Sequence, residues 1–292
     1  MEASAQYASG GPTRLECVMV ATSQGDSPTP KIIYGTAWKK SDTARLVGTA
    51  IQQGFRGIDT ACQPTHYDEA AVGAGLAGRG DVTREKLYLQ SKFTPLAGQD
   101  PARTPYDPAA SLPEQVRQSF AVSLRNLRTA YLDCLILHSP LARPLTMEVW
   151  RAMESLVDTG GVRRLGISNC YRLDDLAVLY DSARIKPSVL QNRFYADTGY
   201  DRELRRYCRG RRISYQSFWT LTANPQLLAH RTITGLATTY ARTPAQILFR
   251  YLTQTGVVPL TGTRSEAHMR EDLGIFEFEL ADREIETVDS LL

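Results

Sequence analysis

Short apolar runs alternate with stretches of helical periodicity along most of this chain. Residues 32–34 read as the first buried strand. A helix follows over 42–53, with Ser41 as its cap and Ala44, Val47, Ala50 and Ile51 on one face. The pattern then repeats. Strands are expected at 56–59, 87–92, 132–137, 164–168, 188–191, 212–217 and 256–259. Helices are expected at 68–77, 114–127, 147–157, 173–180, 201–208, 233–252 with a break at Pro244, and from 265 onward. Eight strands alternating with helices predict an α/β fold, a closed (β/α)8 TIM barrel filling one domain over 1–292. A doubly wound sheet would want a Gly-rich turn after strand one, and Gly35-Thr36-Ala37 does not supply it.

Three segments depart from the repeat. Residues 1–30 are weakly patterned; 15–21 suit one strand of a hairpin capping the barrel bottom, and 22–30 a polar turn. Residues 95–113, rich in Pro, Gly and Asp, are long for a barrel loop and follow strand three, on the face where they can wall a pocket. The chain ends in a short acidic helical tail from about 281.

Composition narrows the function classes. A net charge of +3, from 34 basic and 31 acidic residues, is too balanced to indicate a nucleic-acid partner. The basic stretch 209–212 reads as a solvated turn. No apolar run is long enough to span a membrane, and the first residues carry no apolar signal-peptide core. The cysteines Cys17, Cys62, Cys134, Cys170 and Cys208 are scattered, without metal-site or disulfide-scaffold spacing. No metal is expected. A cytoplasmic, monomeric enzyme is the resulting expectation.

Four polar residues then stand out. Asp59, Tyr67, Lys92 and His138 fall at or just beyond the ends of predicted strands. In a closed barrel those ends converge on the face that carries chemistry. A tyrosine hydroxyl is a weak acid, and a neighbouring Lys92 ammonium would favour the phenolate and lower its pKa. A buried ammonium needs compensation, which Asp59 would give. His138 can hydrogen-bond a substrate carbonyl oxygen beside the phenol.

With these residues in view, the chain resembles the aldo-keto reductase family, NAD(P)H-dependent oxidoreductases on a (β/α)8 barrel. The resemblance covers nearly the whole chain from about Pro30. It rests on Gly54-Phe55-Arg56-Gly57-Ile58-Asp59-Thr60-Ala61, on Glu69 with Val72-Gly73 and Leu76, on Leu132-Asp133-Cys134-Leu135-Ile136-Leu137-His138-Ser139-Pro140, and on Gly166-Ile167-Ser168-Asn169. The resemblance implies that Asp59, Tyr67, Lys92 and His138 form a catalytic tetrad. In the implied reaction a hydride passes from nicotinamide C4 to a carbonyl carbon, and Tyr67 protonates the oxygen. It also implies that Ser168, Asn169 and Gln191 hold the nicotinamide carboxamide, with Phe218 stacking on the ring. NADPH is the expected cofactor, with NADH as the alternative.

Three departures qualify this expectation. The family's usual spacing puts the acid at Pro64, and Cys62–His66 reads as an insertion; a count back from Glu69 lands on His66. Tyr67 is chosen because it supplies a phenol, with His66 the alternative. After strand eight, where many members have Pro-Lys-Ser, this chain has Pro259-Leu260-Thr261-Gly262-Thr263-Arg264-Ser265. Leu260 replaces the Lys, leaving Thr261, Arg264 and Arg270 as candidate contacts to the cofactor tail beside a helix N-terminus. No long C-terminal loop closes the pocket, and Trp38, Tyr171, Phe194, Tyr195 and Trp219 are placed to line an apolar mouth. The expected function is reduction of an apolar or aromatic aldehyde or ketone. The alternatives are a specialised pathway enzyme of secondary metabolism using non-redox proton transfer or dehydration, and a cofactor-sensing regulatory subunit.

Overall fold

A computed structural model describes residues 19–20, 29–78 and 82–292. Eight parallel strands close into a barrel in sequence order: β1 (Ile33–Gly35), β2 (Gly57–Asp59), β3 (Tyr88–Phe93), β4 (Cys134–Leu137), β5 (Leu165–Ser168), β6 (Val189–Arg193), β7 (Ser214–Phe218) and β8 (Val257–Thr261). β8 pairs with β1 through Leu260 and Ile33, which completes the ring. The expected (β/α)8 barrel is what forms.

Helices pack outside the strands: α1 (Thr43–Gln53), α2 (Glu69–Ala77), α3 (Leu112–Leu127), α4 (Arg143–Asp158), α5 (Leu173–Ser182), α6 (Arg202–Arg211), α7 (Arg231–Tyr240), α8 (Pro244–Gln254), α9 (Glu266–Leu273) and α10 (Asp282–Asp289). The long periodic stretch is broken at Pro244 as expected, because Pro lacks the N–H and sits well only in a first helical turn. A Thr243–Gln246 capping box starts α8 there. Ser41 does not cap α1. It lies in a 3-10 turn, Lys40–Asp42, and Asp42 is the boundary residue, with no side-chain cap bond.

The core has two compartments. Leu46, Val47, Phe55, Val116, Trp150, Leu176 and many others fill the space between the strands and the helix ring. A separate cluster of Ile33, Tyr88, Cys134, Ile136 and Val189, with Val258 and Leu260 against it, fills the barrel interior. Side chains alternate along each strand, so one sequence supplies both.

At the bottom, Met19–Val20 pairs antiparallel with Thr29–Pro30. A Cβ on Gly57, at the start of β2, would meet Pro30 at 2.6 Å, and Arg164 donates to Thr29, so the pair sits under the barrel. The rest of the expected hairpin, 15–18 and 21–28, lies outside the described residues.

Gly73 lets α2 approach α3 closely: a Cβ there would stand 2.1 Å from the Asn126 carbonyl oxygen. That close packing matters because α2 begins directly after the tyrosine of the site. Asp68 caps α2 by accepting from the Ala71 N–H at 2.9 Å.

Candidate active site

The top of the barrel collects Asp59, Lys92, Tyr67 and His138. Asp59 ends β2, and Lys92 lies near the end of β3 with its side chain running inward, nearly fully buried. Its ammonium donates to both Asp59 oxygens at 2.7 Å and to the Thr60 carbonyl at 2.8 Å. All three ammonium donors are therefore used, which is what a buried ammonium needs. Burial works against the charge, but Asp59 and Tyr67 outweigh it, and the Lys92 pKa stands above its ordinary value.

Tyr67, not His66, is the residue set against this pair. Lys92 Nζ lies 5.1 Å from the Tyr67 ring centroid, which sets its charge beside the phenol. The His138 ring meets Tyr67 edge-on with centroids 6.1 Å apart. His66 turns away and stacks on Trp38, centroids 3.9 Å apart.

The long loop explains this placement. Gln99 donates to the Cys62 carbonyl at 2.9 Å, Gln63 donates to the Gly98 carbonyl, and Arg103 donates to the Pro64 carbonyl at 3.4 Å. The insertion at 62–66 and the loop at 95–113 thus hold each other. Both departures from the repeat are one structural unit.

The phenol behaves differently from the sequence-based expectation. Burial, reinforced by Asp59, outweighs the lowering effect of Lys92, and the Tyr67 pKa is raised. The hydroxyl keeps its proton. His138 moves the other way: burial first, then the Lys92 charge and His66, push it down to about 3. It is a neutral imidazole, engaged at Nδ1 by the Thr94 hydroxyl at 2.7 Å.

The candidate cofactor residues fall into two groups. Ser168 and Asn169 stand together at the end of β5, where Asn169 donates to Ser168 Oγ at 3.2 Å and to the His138 carbonyl at 2.9 Å. Gln191 enters from β6, but its amide nitrogen donates inward, to Asp59 at 3.0 Å and Gln216 at 2.9 Å. Phe218 ends β7, partly exposed.

The second group surrounds the turn after β8. Leu260 lies within β8 and packs in the barrel interior, so it does not occupy the strand mouth. Gly262 does, and the Lys39 ammonium donates to its carbonyl. Burial, then the Arg264 charge, lowers the Lys39 pKa to about 8. Arg264 reaches across to the Trp38 carbonyl and to Asp42 at 3.1 Å. Thr261 is turned toward the helix layer instead: its buried hydroxyl donates to Asp272 of α9 at 2.7 Å. Arg270 is exposed and pairs with Glu266 at 2.9 Å.

The candidate mouth residues separate as well. Trp38 and Trp219, each 51% exposed, flank the top face. Arg193 stacks on Trp219 at 4.1 Å and on Tyr195 at 5.2 Å. Tyr171 hydrogen-bonds Asn169 at 3.2 Å. Phe194 does not line the mouth, because it is fully buried against Tyr200 with centroids 5.1 Å apart. A cavity of about 520 Å³ opens beside Tyr67, between the 62–69 segment, α3 and the long loop, with Trp38, Arg103, Pro105 and Val122 in its wall. The loop thus walls a pocket, as its position after strand three suggested.

Four residues were missed in the sequence: Lys39, Gln90, Thr94 and Gln216. A signal existed for two of them. Gln90 is two residues before Lys92 and Gln216 two before Phe218, which puts polar carboxamides on inward-facing positions. Among the described residues no His/Cys/Asp/Glu group could hold a metal, and no helix is long and apolar enough to cross a membrane.

Comparison with known proteins agrees with this architecture. The pattern of the aldo/keto reductase family matches residues 31–215 and 202–292. Glyoxal reductase of Bacillus subtilis is 32% identical over 251 residues, covering 86% of this chain and 84% of the relative. The uncharacterized oxidoreductase YtbE of the same organism is 31% identical over 254 residues, with the same coverage. The crystal structure of an aldo/keto reductase from Brucella melitensis superposes with a TM-score of 0.79 at 28% identity, covering 94% of this chain and 99% of that one. This chain therefore belongs to the aldo/keto reductase family, as an NAD(P)H-dependent oxidoreductase acting on carbonyl or alcohol groups.

Proposed function

We propose that the protein reduces an aldehyde or ketone with an apolar or aromatic body, using NADPH, with Tyr67 as the proton donor. The observation that carries this reading is the protonated phenol against a Lys92 ammonium that Asp59 compensates, with a neutral imidazole at its edge.

NADPH, when bound, supplies the hydride. The protein's part is to handle the oxygen. In this reading Tyr67 and His138, whose rings meet edge-on, both donate to the carbonyl oxygen. As negative charge develops there, Tyr67 gives up its proton and Lys92 stabilises the phenolate left behind. Asp59 keeps the ammonium in place through that change. His138 polarises the carbonyl as a neutral donor, its ring fixed by Thr94.

Ser168, Asn169 and Gln191 would hold the carboxamide, and Phe218 would cover the ring. For the phosphates, Lys39 and Arg264 converge on the Gly262–Ser265 turn, where α9 begins with a Ser265 cap. These two cations, with the free N–H groups of a helix start, favour the phosphorylated cofactor over NADH. Trp38 and Trp219 favour an apolar or aromatic substrate body. Glyoxal belongs in the substrate set as well, since one relative carries that activity in its name.

Calorimetric titration with NADPH and NADH, followed by turnover on aromatic and aliphatic aldehydes and glyoxal, tests the reading. NADPH is expected to bind more tightly than NADH. Tyr67→Phe is expected to bind NADPH normally and to lose about 10²–10⁴-fold in kcat. Undiminished turnover in Tyr67→Phe would remove the proton-donor assignment. Tight NADPH binding with no carbonyl turnover would favour a cofactor-sensing role.

A further inference from the structure

Directly beside the Asp59–Lys92 pair the barrel interior holds carboxamides where an apolar layer would be expected. Gln90 and Gln216 are fully buried, and Gln191 almost so. A buried amide left unpaired is costly, so each must be satisfied. The bonds among them form a closed set. Gln90 Nε2 donates to Asp59 Oδ1 at 2.7 Å and to Gln216 Oε1 at 2.8 Å. Gln191 Nε2 donates to the same two oxygens at 3.0 and 2.9 Å. Gln216 Nε2 returns a bond to Gln90 Oε1 at 3.0 Å. Strand register supports this, because Gln90 stands opposite Asp59, and Gln191 stands opposite Gln216.

A carboxamide can face a neighbour with its NH₂ or with its oxygen. Against a carboxylate only the NH₂ orientation is favourable. Gln216 Oε1 accepts from both Gln90 and Gln191, and it can do so only if both present NH₂ groups on the side that also faces Asp59. A single hub oxygen therefore fixes two amides at once. The same orientation leaves the Gln191 carbonyl outside the set, able to accept from a carboxamide N–H of the nicotinamide.

We propose that Gln216 and Gln90 are positioning residues for the reaction: Gln216 sets the orientation of Gln90 and Gln191, and these hold the Asp59 carboxylate against Lys92. This rests on the reading of Tyr67 and Lys92 given above. Gln216 has no hydrogen bond to Asp59, Lys92 or Tyr67 and acts through its two neighbours.

Three variants test it: Gln216→Leu, Gln90→Leu and the near-isosteric Gln90→Glu, which keeps the core filled. For each, kcat is measured against pH, NADPH affinity by titration, and Tm by thermal unfolding. Gln216→Leu is expected to lower kcat about tenfold and to weaken NADPH several-fold, through a freed Gln191. Gln90→Leu is expected to lower kcat while leaving NADPH affinity within twofold. In Gln90→Glu the protonated acid donates to Asp59 as the amide does, and the ionised acid repels it. Its kcat is expected to approach wild type at acidic pH and to fall as pH rises, through a limb absent from wild type. Lower Tm values with unchanged kcat profiles in Gln216→Leu and Gln90→Glu would reduce the network to packing and overturn the proposal. Retained turnover in Tyr67→Phe would instead overturn the underlying reading of the site, whatever the glutamine variants do.

Discussion

The lower and upper halves of the barrel interior are built on the same strands and differ in every property that matters. Below, Tyr88, Ile136 and Val189 belong to an apolar cluster with Ile33 and Cys134. Two residues further along those strands come Gln90, His138 and Gln191. A step of two keeps the side chain on the same face, so the change is one of chemistry and not of direction. The lower layer is held by burial, which tolerates many apolar side chains of similar volume. The upper layer is held by directed bonds: Gln90 and Gln191 donate to the Asp59 carboxylate, and the Thr94 hydroxyl engages His138. Stability and function thus occupy adjacent storeys of one cylinder.

Lys92→Met writes the chemistry of the lower storey into the upper one. The side chain is similar in length and apolar. It would leave Asp59 buried with its amide donors but without its cation. Removing one partner of a buried pair typically costs about 3–5 kcal/mol. A drop in kcat on the order of 10³-fold is expected, with Tm also falling. Equal kcat in Lys92→Met and wild type would show that the ammonium plays no part in the reaction.

A milder break is Thr94→Val, which keeps volume and removes the hydroxyl at His138 Nδ1. With the ring no longer fixed, kcat is expected to fall about tenfold and NADPH affinity to stay. His138 also makes a pH prediction. Its folded pKa, about 3, lies below the unfolded value of 6.5. Between those values the unfolded state binds the extra proton, so this contribution to stability is lost as pH falls from about 6.5 toward 3. The imidazole stays neutral near pH 6.5, so the kcat profile should show no limb there from His138. A limb in that region that disappears in His138→Gln would contradict the neutral-donor role.

How much of this was legible beforehand follows from the same contrast. Apolar runs and their punctuation are local, so the barrel, the helix break at Pro244 and the convergence of Asp59, Lys92 and His138 could all be read from the chain. Directions at loop residues are not local. Trp38, Asn169 and Trp219 each have φ near +60°, a conformation uncommon outside glycine, and no residue pattern announces it. The placement of Tyr67 beside Lys92 goes with a distant loop that grips the 62–66 segment through bonds spanning 35 to 39 residues. The Lys92 charge, which does lower the Tyr67 pKa, is visible in the sequence, and the burial that outweighs it is not.

The smallest effect should come from the lower storey, and that makes it the control for all the others. Ile136 is fully buried in the apolar cluster, two residues before His138, which follows the last residue of β4. Ile136→Val removes one methylene and leaves every bond of the upper layer intact. The expected cost is about 0.5–1.5 kcal/mol, read as a lower Tm or a lower denaturant midpoint at constant slope. Turnover and NADPH affinity should match wild type within twofold. If kcat instead fell as far as in Thr94→Val, the two layers would be mechanically coupled through β4. The division between a packing storey and a chemical storey would then have to be replaced by a single cooperative interior.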